Sequence, residues 1–318
     1  MDISIVIPVY NEEESLPELC AWIERVVQQN HLSYEIILVD DGSTDRSWDV
    51  TQDLRRGNPN IKGVRFQRNY GKSAALNEGF KAAKGEVVIT MDADMQDSPD
   101  EIPALRKMIL EDKYDMVSGW KKVRHDPVSK TLPSKFFNWT TARVSKIRLH
   151  DFNCGLKAYR NKVVKSIEVY GEMHRYIPVI AKWAGFRKIG EKVVVHRARK
   201  YGYTKFGGLG RGLKGLLDLA SITFVGKYGK RPMHFFGPLG VICGLIGCIE
   251  TISLVVQKLE KGGTNFSLTN RPSFYIALTC VVLGTQLFLT GFMAELISRN
   301  SPGRNSYLIE QKLGLDPS

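Results

Sequence analysis

The chain has 318 residues, enough for one large or two medium domains. Its five cysteines include no C-x-x-C pair, so we exclude a disulfide-stapled scaffold and a cysteine-based metal site. The formal net charge of +12 fits a basic soluble surface, nucleic-acid binding, or attraction to anionic lipid headgroups or a phosphorylated substrate.

Four apolar, β-branched segments alternate with segments of helical periodicity in the first hundred residues. In the first of these helices, Ser15 and Glu18 have the spacing of a capping box. Two further strands are predicted later in the chain. The alternation predicts the α/β class, with a mostly parallel sheet and helices on both faces. The predicted strands are Ile3–Val9, Tyr34–Val39, Ile61–Phe66, Glu86–Met91, Asp115–Gly119 and Val193–Val195.

Polar residues follow three of these strands, at Tyr10-Asn11-Glu12, Asp40-Asp41 and Asp92-Ala93-Asp94. The carboxyl ends of parallel strands share one edge of a sheet, where α/β proteins bind ligands. Residues two apart in extended chain point to the same side, so the carboxylates of Asp92 and Asp94 should converge. Hard oxygen ligands suit Mg²⁺ or Mn²⁺, which take one or two carboxylates together with diphosphate oxygens. The alternative is a polar turn after a strand.

The segment Lys121–Lys146 is strongly basic and interleaved with aromatic residues. Two interpretations remain open: a solvated helix face, or a surface that holds an anionic, partly apolar ligand. In the second interpretation, five basic side chains would bind the anionic group, which is the acceptor phosphate if the chain is a transferase. They are Lys121, Arg124, Lys135, Arg143 and Arg175.

Two apolar segments, about 235–256 and 274–297, are each long enough to span a bilayer, and a short loop predicts a hairpin. An amphipathic helix over 206–231 should precede them at the membrane surface. Basic residues dominate this flank, so we expect the catalytic domain, residues 1–205, and the tail, 299–318, to face the cytoplasm. The first strand is too short for a signal peptide. These features predict a multi-pass protein of the cytoplasmic (inner) membrane with its hairpin at 232–298.

Six motifs, in this order, resemble those of family-2 glycosyltransferases of the GT-A fold. Within that family the chain is most similar to polyprenyl-phosphate glycosyltransferases, which include dolichol-phosphate mannose synthases and bacterial undecaprenyl-phosphate glucosyl and aminoarabinosyl transferases. The resemblance covers essentially the whole chain. Threonine replaces serine in the last motif and keeps its hydroxyl group. The motifs are Ile5–Glu12, Val39–Asp45, Arg68–Lys72, Asp92–Asp97, Asp151–Arg160 and Arg199–Lys205.

The resemblance implies a metal-dependent, inverting transfer of a hexose from a UDP- or GDP-linked donor to a polyprenyl phosphate, for modification of cell-envelope glycans or lipids. It implies that Mg²⁺ or Mn²⁺ is held by Asp92, Asp94 and Gln96. Asp151 would lie near the reacting centre, and Arg199 and Lys205 would close over the diphosphate. The catalytic set is thus Asp151, Asp94, Arg199 and Lys205. The nucleotide-sugar site would also include Pro8, Tyr10, Glu12, Asp41 and Asp92.

Two other functions were weighed. A transferase acting on a glycolipid or diacylglycerol hydroxyl group would use the same donor site but would need a general base. A basic, non-enzymatic scaffold on membranes or nucleic acid would leave the carboxylates unexplained, so no nucleic-acid partner is expected. A processive polysaccharide synthase is disfavoured because the Q-x-x-R-W motif is absent and only two spanning helices are predicted. The sequence does not define the sugar or the nucleobase of the donor, or whether the chain forms a homo-oligomer.

Overall fold

The computed structural model describes residues 1–122, 138–197, 200, 220–221, 223–229, 231–260 and 267–300. These residues fall into two compact units that divide after residue 222. The predicted catalytic domain falls in the first unit and the apolar hairpin in the second. The predicted boundary at 205/206, residues 206–219 of the interfacial helix and residues 301–318 of the tail lie outside the described residues.

The first unit is built on a seven-stranded sheet with the order β3-β2-β1-β4-β6-β5-β7. Neighbouring strands are parallel except at β6, which runs antiparallel to both β4 and β5. The predicted fold class, a mostly parallel sheet, is therefore confirmed. The strands are β1 Ile3–Val9, β2 Tyr34–Asp40, β3 Ile61–Arg65, β4 Val87–Thr90, β5 Met116–Trp120, β6 Lys157–Arg160 and β7 Ile189–Val193.

Helices cover both faces of this sheet. One core joins alternate β1 residues such as Ile5 to the buried faces of α1 and α4, and the other joins Val6 to α3, α5 and α6. This two-sided burial explains why β1 and β2 are almost continuously apolar. The helices are α1 Leu16–Gln29, α2 Ser47–Gly57, α3 Lys72–Ala82, α4 Ile102–Leu110, α5 Asn161–Lys165 and α6 Ile177–Trp183.

The second unit contains two long helices, α7 Met233–Glu260 and α8 Pro272–Asn300, packed as an antiparallel hairpin. Both are long and apolar enough to cross a bilayer, and both extend beyond the predicted segments. Their backbones approach closely: a Cβ atom on Gly284 would lie 2.5 Å from the backbone nitrogen of Gly244. Small residues at such contacts let apolar helices pack without a side-chain layer between them.

Some local predictions were wrong. The hydroxyl group of Ser15 does not cap α1; it donates instead to the carbonyl oxygen of Glu12 at 3.1 Å. The last strand spans Ile189–Val193 rather than Val193–Val195, and no strand was predicted at Lys157–Arg160.

A buried acid anchors the amino ends of β1 and β2, at the opposite edge of the sheet from the predicted site. Glu35 is fully buried and pairs with the ammonium group of Lys62. Its carboxylate also accepts hydrogen bonds from the Ser4 hydroxyl at 2.5 Å and the Lys84 backbone N–H at 2.7 Å. Burial alone would raise the pKa of Glu35, but these three donors outweigh burial and lower it.

We expect Glu35→Gln to destabilise the protein by about 2 kcal/mol at pH 7, because Lys62 loses its charged partner. A lowered pKa in the folded state stabilises the protein above the ordinary glutamate pKa of 4.5, and this stabilisation is lost as the pH falls below it. Melting temperatures in detergent between pH 7 and pH 3.5 should therefore fall less steeply for the variant. Glu78→Gln, in an exposed pair with Lys81, is the control. Parallel curves for wild type and Glu35→Gln would contradict this account.

Candidate active site

Three strand-end segments meet at one edge of the sheet, as predicted. β1 is parallel to β2 on one side and to β4 on the other, with Val9 opposite Asp40 and Val6 opposite Thr90. The polar segments that follow these strands therefore emerge side by side. We call this region, comprising Tyr10–Glu12, Asp40–Asp41 and Asp92–Asp94, the carboxylate edge.

Hydrogen bonds fix the first two segments of the carboxylate edge against each other. The Asn11 N–H donates to the Ser43 hydroxyl at 3.0 Å, and the Asn11 side-chain oxygen accepts from the Thr44 N–H at 2.8 Å. The Glu12 N–H donates to the Ser47 hydroxyl at 2.8 Å. Asn11 has a left-handed backbone with φ of 52°, a conformation that asparagine tolerates better than most residues. The edge is thus preformed on this side.

Asp41 holds a neighbouring loop. Its buried carboxylate accepts the backbone N–H groups of Tyr70 at 2.7 Å and Gly71 at 2.9 Å. Burial raises the pKa of Asp41, these two hydrogen bonds oppose the rise, and the adjacent Asp40 adds to it. The structure therefore gives Asp41 a backbone-binding role, and the predicted contact of Asp41 with the nucleotide stays a prediction.

Asp92 lies where β4 ends, with its carboxylate flat against the backbone of Gly155. A Cβ atom on Gly155 would lie 2.4 Å from Asp92 Oδ2, so no larger residue fits there without moving the carboxylate. The ammonium group of Lys72, the first residue of α3, pairs with Asp92 Oδ1. Both side chains are about a third exposed, so this pair faces the open side of the edge.

Two further lysines surround Asp92. Lys121 pairs with the buried Asp97 at 2.9 Å, and the fully buried Lys157 donates to the Cys154 carbonyl oxygen. Burial would raise the pKa of Asp92, but the charges of Lys72, Lys121 and Lys157 hold it well below its usual range. Burial likewise lowers the pKa of Lys157, whereas Asp97 and Asp92 overcome burial at Lys121 and raise its pKa. Asp92 is thus ionised at neutral pH.

Asp94 is almost buried and accepts the Gln96 N–H at 3.2 Å. The backbone at Met95 is left-handed, with φ of 62°, and turns the chain between these two residues. The side-chain amide of Gln96 lies 3.5 Å from the Arg197 carbonyl oxygen. The family resemblance implies that Gln96 is a metal ligand, and that role stays a prediction.

The donor set at Asp92 and Asp94 fits Mg²⁺ or Mn²⁺. Among the described residues, no cluster of three or more histidine, cysteine or acidic side chains could hold a metal by itself. Two carboxylates without a third acidic ligand are what these ions use when substrate phosphate oxygens complete the coordination. The residues present therefore agree with a divalent cation that binds together with a diphosphate.

Asp151 is buried close to Cys154 and Lys157. Its Oδ1 accepts the Asn153 N–H at 3.0 Å, and its carbonyl oxygen accepts the Ser118 hydroxyl at 3.2 Å. Asn138 belongs to a helical segment, residues 138–145, and its side-chain amide donates to the carbonyl oxygen of His150, the residue before Asp151, at 2.9 Å. Asp151 also lies close enough to Lys157 to influence the pKa of that lysine. The backbone at Asp151 is therefore held by Ser118, and its carboxylate is oriented by the Asn153 N–H.

A family model described as glycosyl transferase family 2 matches residues 4–168, which include β1 to β6 and the carboxylate edge. The chain belongs to glycosyl transferase family 2. The resemblance inferred from the six motifs is thereby confirmed.

Relatives within this family match almost the whole chain. Dodecaprenyl-phosphate galacturonate synthase of Rhizobium johnstonii is 34% identical over 302 residues, covering 94% of this chain and 88% of the relative. Undecaprenyl-phosphate 4-deoxy-4-formamido-L-arabinose transferase of Pseudomonas syringae is 34% identical over 299 residues, covering 93% of this chain and 86% of the relative. The aligned lengths are too great to leave out the C-terminal hairpin.

Solved structures share the fold at low sequence identity. Glucosyl-3-phosphoglycerate synthase of Mycobacterium tuberculosis in complex with UDP has a TM-score of 0.55 at 18% identity, covering 72% of this chain and 82% of that chain. The same enzyme with Mn²⁺, UDP and phosphoglyceric acid has a TM-score of 0.51 at 19% identity, covering 71% and 76%. The family 2 chain described here thus has a GT-A-like fold, as predicted.

Of the five basic residues predicted to hold an acceptor phosphate, three lie in the described part of the family 2 chain. Lys121 lies beside Asp97 at the carboxylate edge, Arg143 is exposed, and Arg175 is mostly buried with Glu172 at 3.7 Å. Their phosphate-binding role stays a prediction. Four other predicted site residues lie outside the described residues: Arg124, Lys135, Arg199 and Lys205.

Sequence reasoning missed the lysines that neutralise this edge. Lys72 and Lys157 fall within two of the six motifs but received no predicted role, and Lys121 was predicted to be part of a basic surface. One signal was available for Lys157: a lysine within an otherwise buried, uncharged segment, Gly155–Tyr159, is rare without a partner. The structure shows that each of the three lies among the carboxylates.

We expect Gly155→Ala to reduce activity at least about 100-fold, because the new methyl group must displace the Asp92 carboxylate and a shift of about 1 Å can cost that much. Gly57→Ala is the matched control, since a Cβ atom there meets nothing within 4 Å. Sugar transfer and melting temperature would be measured for both variants. Full activity in a folded Gly155→Ala protein would show that the position of Asp92 is unimportant.

Proposed function

We propose that this chain transfers a sugar from a nucleoside diphosphate to a polyprenyl phosphate and thereby serves cell-envelope modification. The observation that carries the proposal is the similarity, over more than nine-tenths of the chain, to two relatives named for dodecaprenyl and undecaprenyl phosphate. The carboxylate edge supplies a matching donor site. The hairpin α7–α8 suits a lipid-linked acceptor, and we place the protein in the cytoplasmic membrane with its first unit facing the cytoplasm.

The carboxylates of Asp92 and Asp94 would hold the divalent cation, with Gln96 as a further ligand. The crystallisation of the Mycobacterium tuberculosis neighbour with Mn²⁺ and UDP supports this assignment. When bound, the cation would stabilise the negative charge that develops on the departing nucleoside diphosphate. Lys72 and Lys121 add positive charge at the same edge, which would also stabilise the negative charge on the departing diphosphate in the transition state.

The reaction is a direct displacement. An oxygen of the lipid phosphate forms a bond to the anomeric carbon while the bond from that carbon to the diphosphate oxygen breaks, which inverts the anomeric configuration. A phosphate monoester has a second pKa near 6, so the acceptor is mostly dianionic at pH 7 and needs no base. Asp151, held by Asn153, is then suited to orient the sugar rather than to accept a proton.

Charge repulsion between donor and acceptor is the main obstacle to this reaction. Three lysines pair with, or lie beside, three carboxylates in this region, and their positive charge reduces the repulsion that a second anion meets there. We call this group the charged cluster. It comprises Asp92, Asp97, Asp151, Lys72, Lys121 and Lys157.

The detergent-solubilised protein should transfer label from one member of a panel of radiolabelled UDP- and GDP-sugars to polyprenyl phosphate, so that the label enters the organic phase. Chelation of divalent cations should abolish transfer, and Asp94→Ala should reduce it at least about 1,000-fold. Asp112→Ala, at an exposed position, should change nothing. Undiminished transfer by a folded Asp94→Ala protein would refute the metal role of Asp94.

A hydroxyl acceptor on a glycolipid or diacylglycerol is the second candidate, and Asp151→Asn separates the two. With a phosphate acceptor the loss should be about 10- to 100-fold, because only orientation of the sugar suffers. With a hydroxyl acceptor the loss should approach about 10⁴-fold, because a base is removed. Both acceptors would be offered to the same protein preparations. A loss near 10⁴-fold with polyprenyl phosphate would contradict the base-free reaction.

A further inference from the structure

Lys72 forms an ion pair with Asp92, the carboxylate proposed to bind the divalent cation. Its ammonium group pairs with Asp92 Oδ1, while the carboxylate lies flat against Gly155. An ammonium group and a divalent cation cannot share one oxygen closely, since the two positive charges repel each other at contact distance. A metal that binds through Oδ1 of Asp92 must therefore displace Lys72.

Lys72 is the most exposed of the three lysines in the charged cluster. Its side chain is 31% exposed, compared with 14% for Lys121. Lys157 is only 4% exposed and donates to a backbone carbonyl oxygen. Burial and fixed partners hold the other two lysines in place, so Lys72 alone among these three has a route away from Asp92 toward the open side.

The backbone at Lys72 is fixed, whereas its side chain is partly exposed. Ser73, the next residue, is buried, and its hydroxyl group contacts the His174 backbone N–H at 3.0 Å and Nδ1 at 3.1 Å. Rotation about the four-carbon side chain can therefore move the ammonium group by several ångströms without moving α3. An anion bound at the carboxylate edge would lie within this reach.

We propose that Lys72 is a positioning residue that occupies Asp92 before the donor binds and moves to the donor diphosphate when the metal arrives. This inference rests on the proposed function, which supplies a diphosphate donor. Metal alone then binds weakly because it must displace an ammonium group that gains no new partner. Metal and nucleoside diphosphate together bind cooperatively, because the displaced ammonium group finds an anion, and each ligand raises the affinity for the other equally.

The test measures Mn²⁺ binding to the full chain in detergent by electron paramagnetic resonance of the free ion, with and without UDP or GDP. Lys72→Met should bind Mn²⁺ alone about tenfold more tightly than wild type, because the competing cation is gone. The exposure of the pair limits the gain through solvent screening. The increase in Mn²⁺ affinity caused by the nucleotide should shrink by a similar factor. The two changes have opposite signs, which a general loss of structure cannot produce.

Two controls sharpen this experiment. Lys72→Arg keeps the charge and should retain weak Mn²⁺ binding without nucleotide. Lys81→Met, at the other end of α3 in an exposed pair with Glu78, should behave as wild type. Lys72→Gln provides a second neutral variant if the methionine variant has a lowered melting temperature.

The outcomes are distinct. Unchanged or weaker Mn²⁺ binding by folded, neutral Lys72 variants, with nucleotide-dependent binding intact in wild type, overturns the role of Lys72 and leaves the proposed function standing. If wild type binds no Mn²⁺ even with UDP or GDP, the metal-dependent donor site and this inference both fail. Tighter binding of Mn²⁺ alone with reduced nucleotide coupling supports the inference.

Discussion

The pairing of buried carboxylates with lysines is the interaction on which this site depends. Removing a charge from water costs several kcal/mol unless a partner compensates for it, and the almost fully buried Asp97 has such a partner in Lys121, at 2.9 Å. The same compensation keeps Asp92 charged. The charged cluster thus places three lysines beside Asp92, Asp97 and Asp151, next to the further acids Asp40, Asp41 and Asp94 of the carboxylate edge. Groups of both signs at one edge can bind a cation and an anion together.

The antiparallel strand β6 explains how a buried lysine comes to lie among these carboxylates. β4 and β5 end at the carboxylate edge, whereas β6 begins there because it runs in the opposite direction between them. Its first residue, Lys157, lies opposite Thr90 and Ser118 and is therefore close to Asp92. A parallel strand in this place would have put Lys157 at the far end of the sheet. Topology therefore fixes the position of the buried lysine.

The sequence predicted the carboxylate edge well because its evidence is local. Long apolar runs identify β1 and β2, and the parallel direction of the strands follows from the intervening helices, so Asp41 and Asp92 had to lie at the same edge of the sheet. β6 escaped prediction because four residues, two of them charged, carry no periodicity that distinguishes a strand. The cap at Ser15 was wrong because the hydroxyl group had a competing partner, the Glu12 carbonyl oxygen, one turn earlier.

The fold alone does not choose the acceptor, since the structural neighbour with the same architecture was crystallised with phosphoglyceric acid. What this chain adds is the apolar hairpin α7–α8, together with relatives named for lipid phosphates. The common feature of the two acceptors is a negative charge. In this chain the lysines of the charged cluster lower the repulsion between a lipid phosphate and the donor diphosphate. The apolar hairpin is the feature of the chain that suits a lipid-linked acceptor.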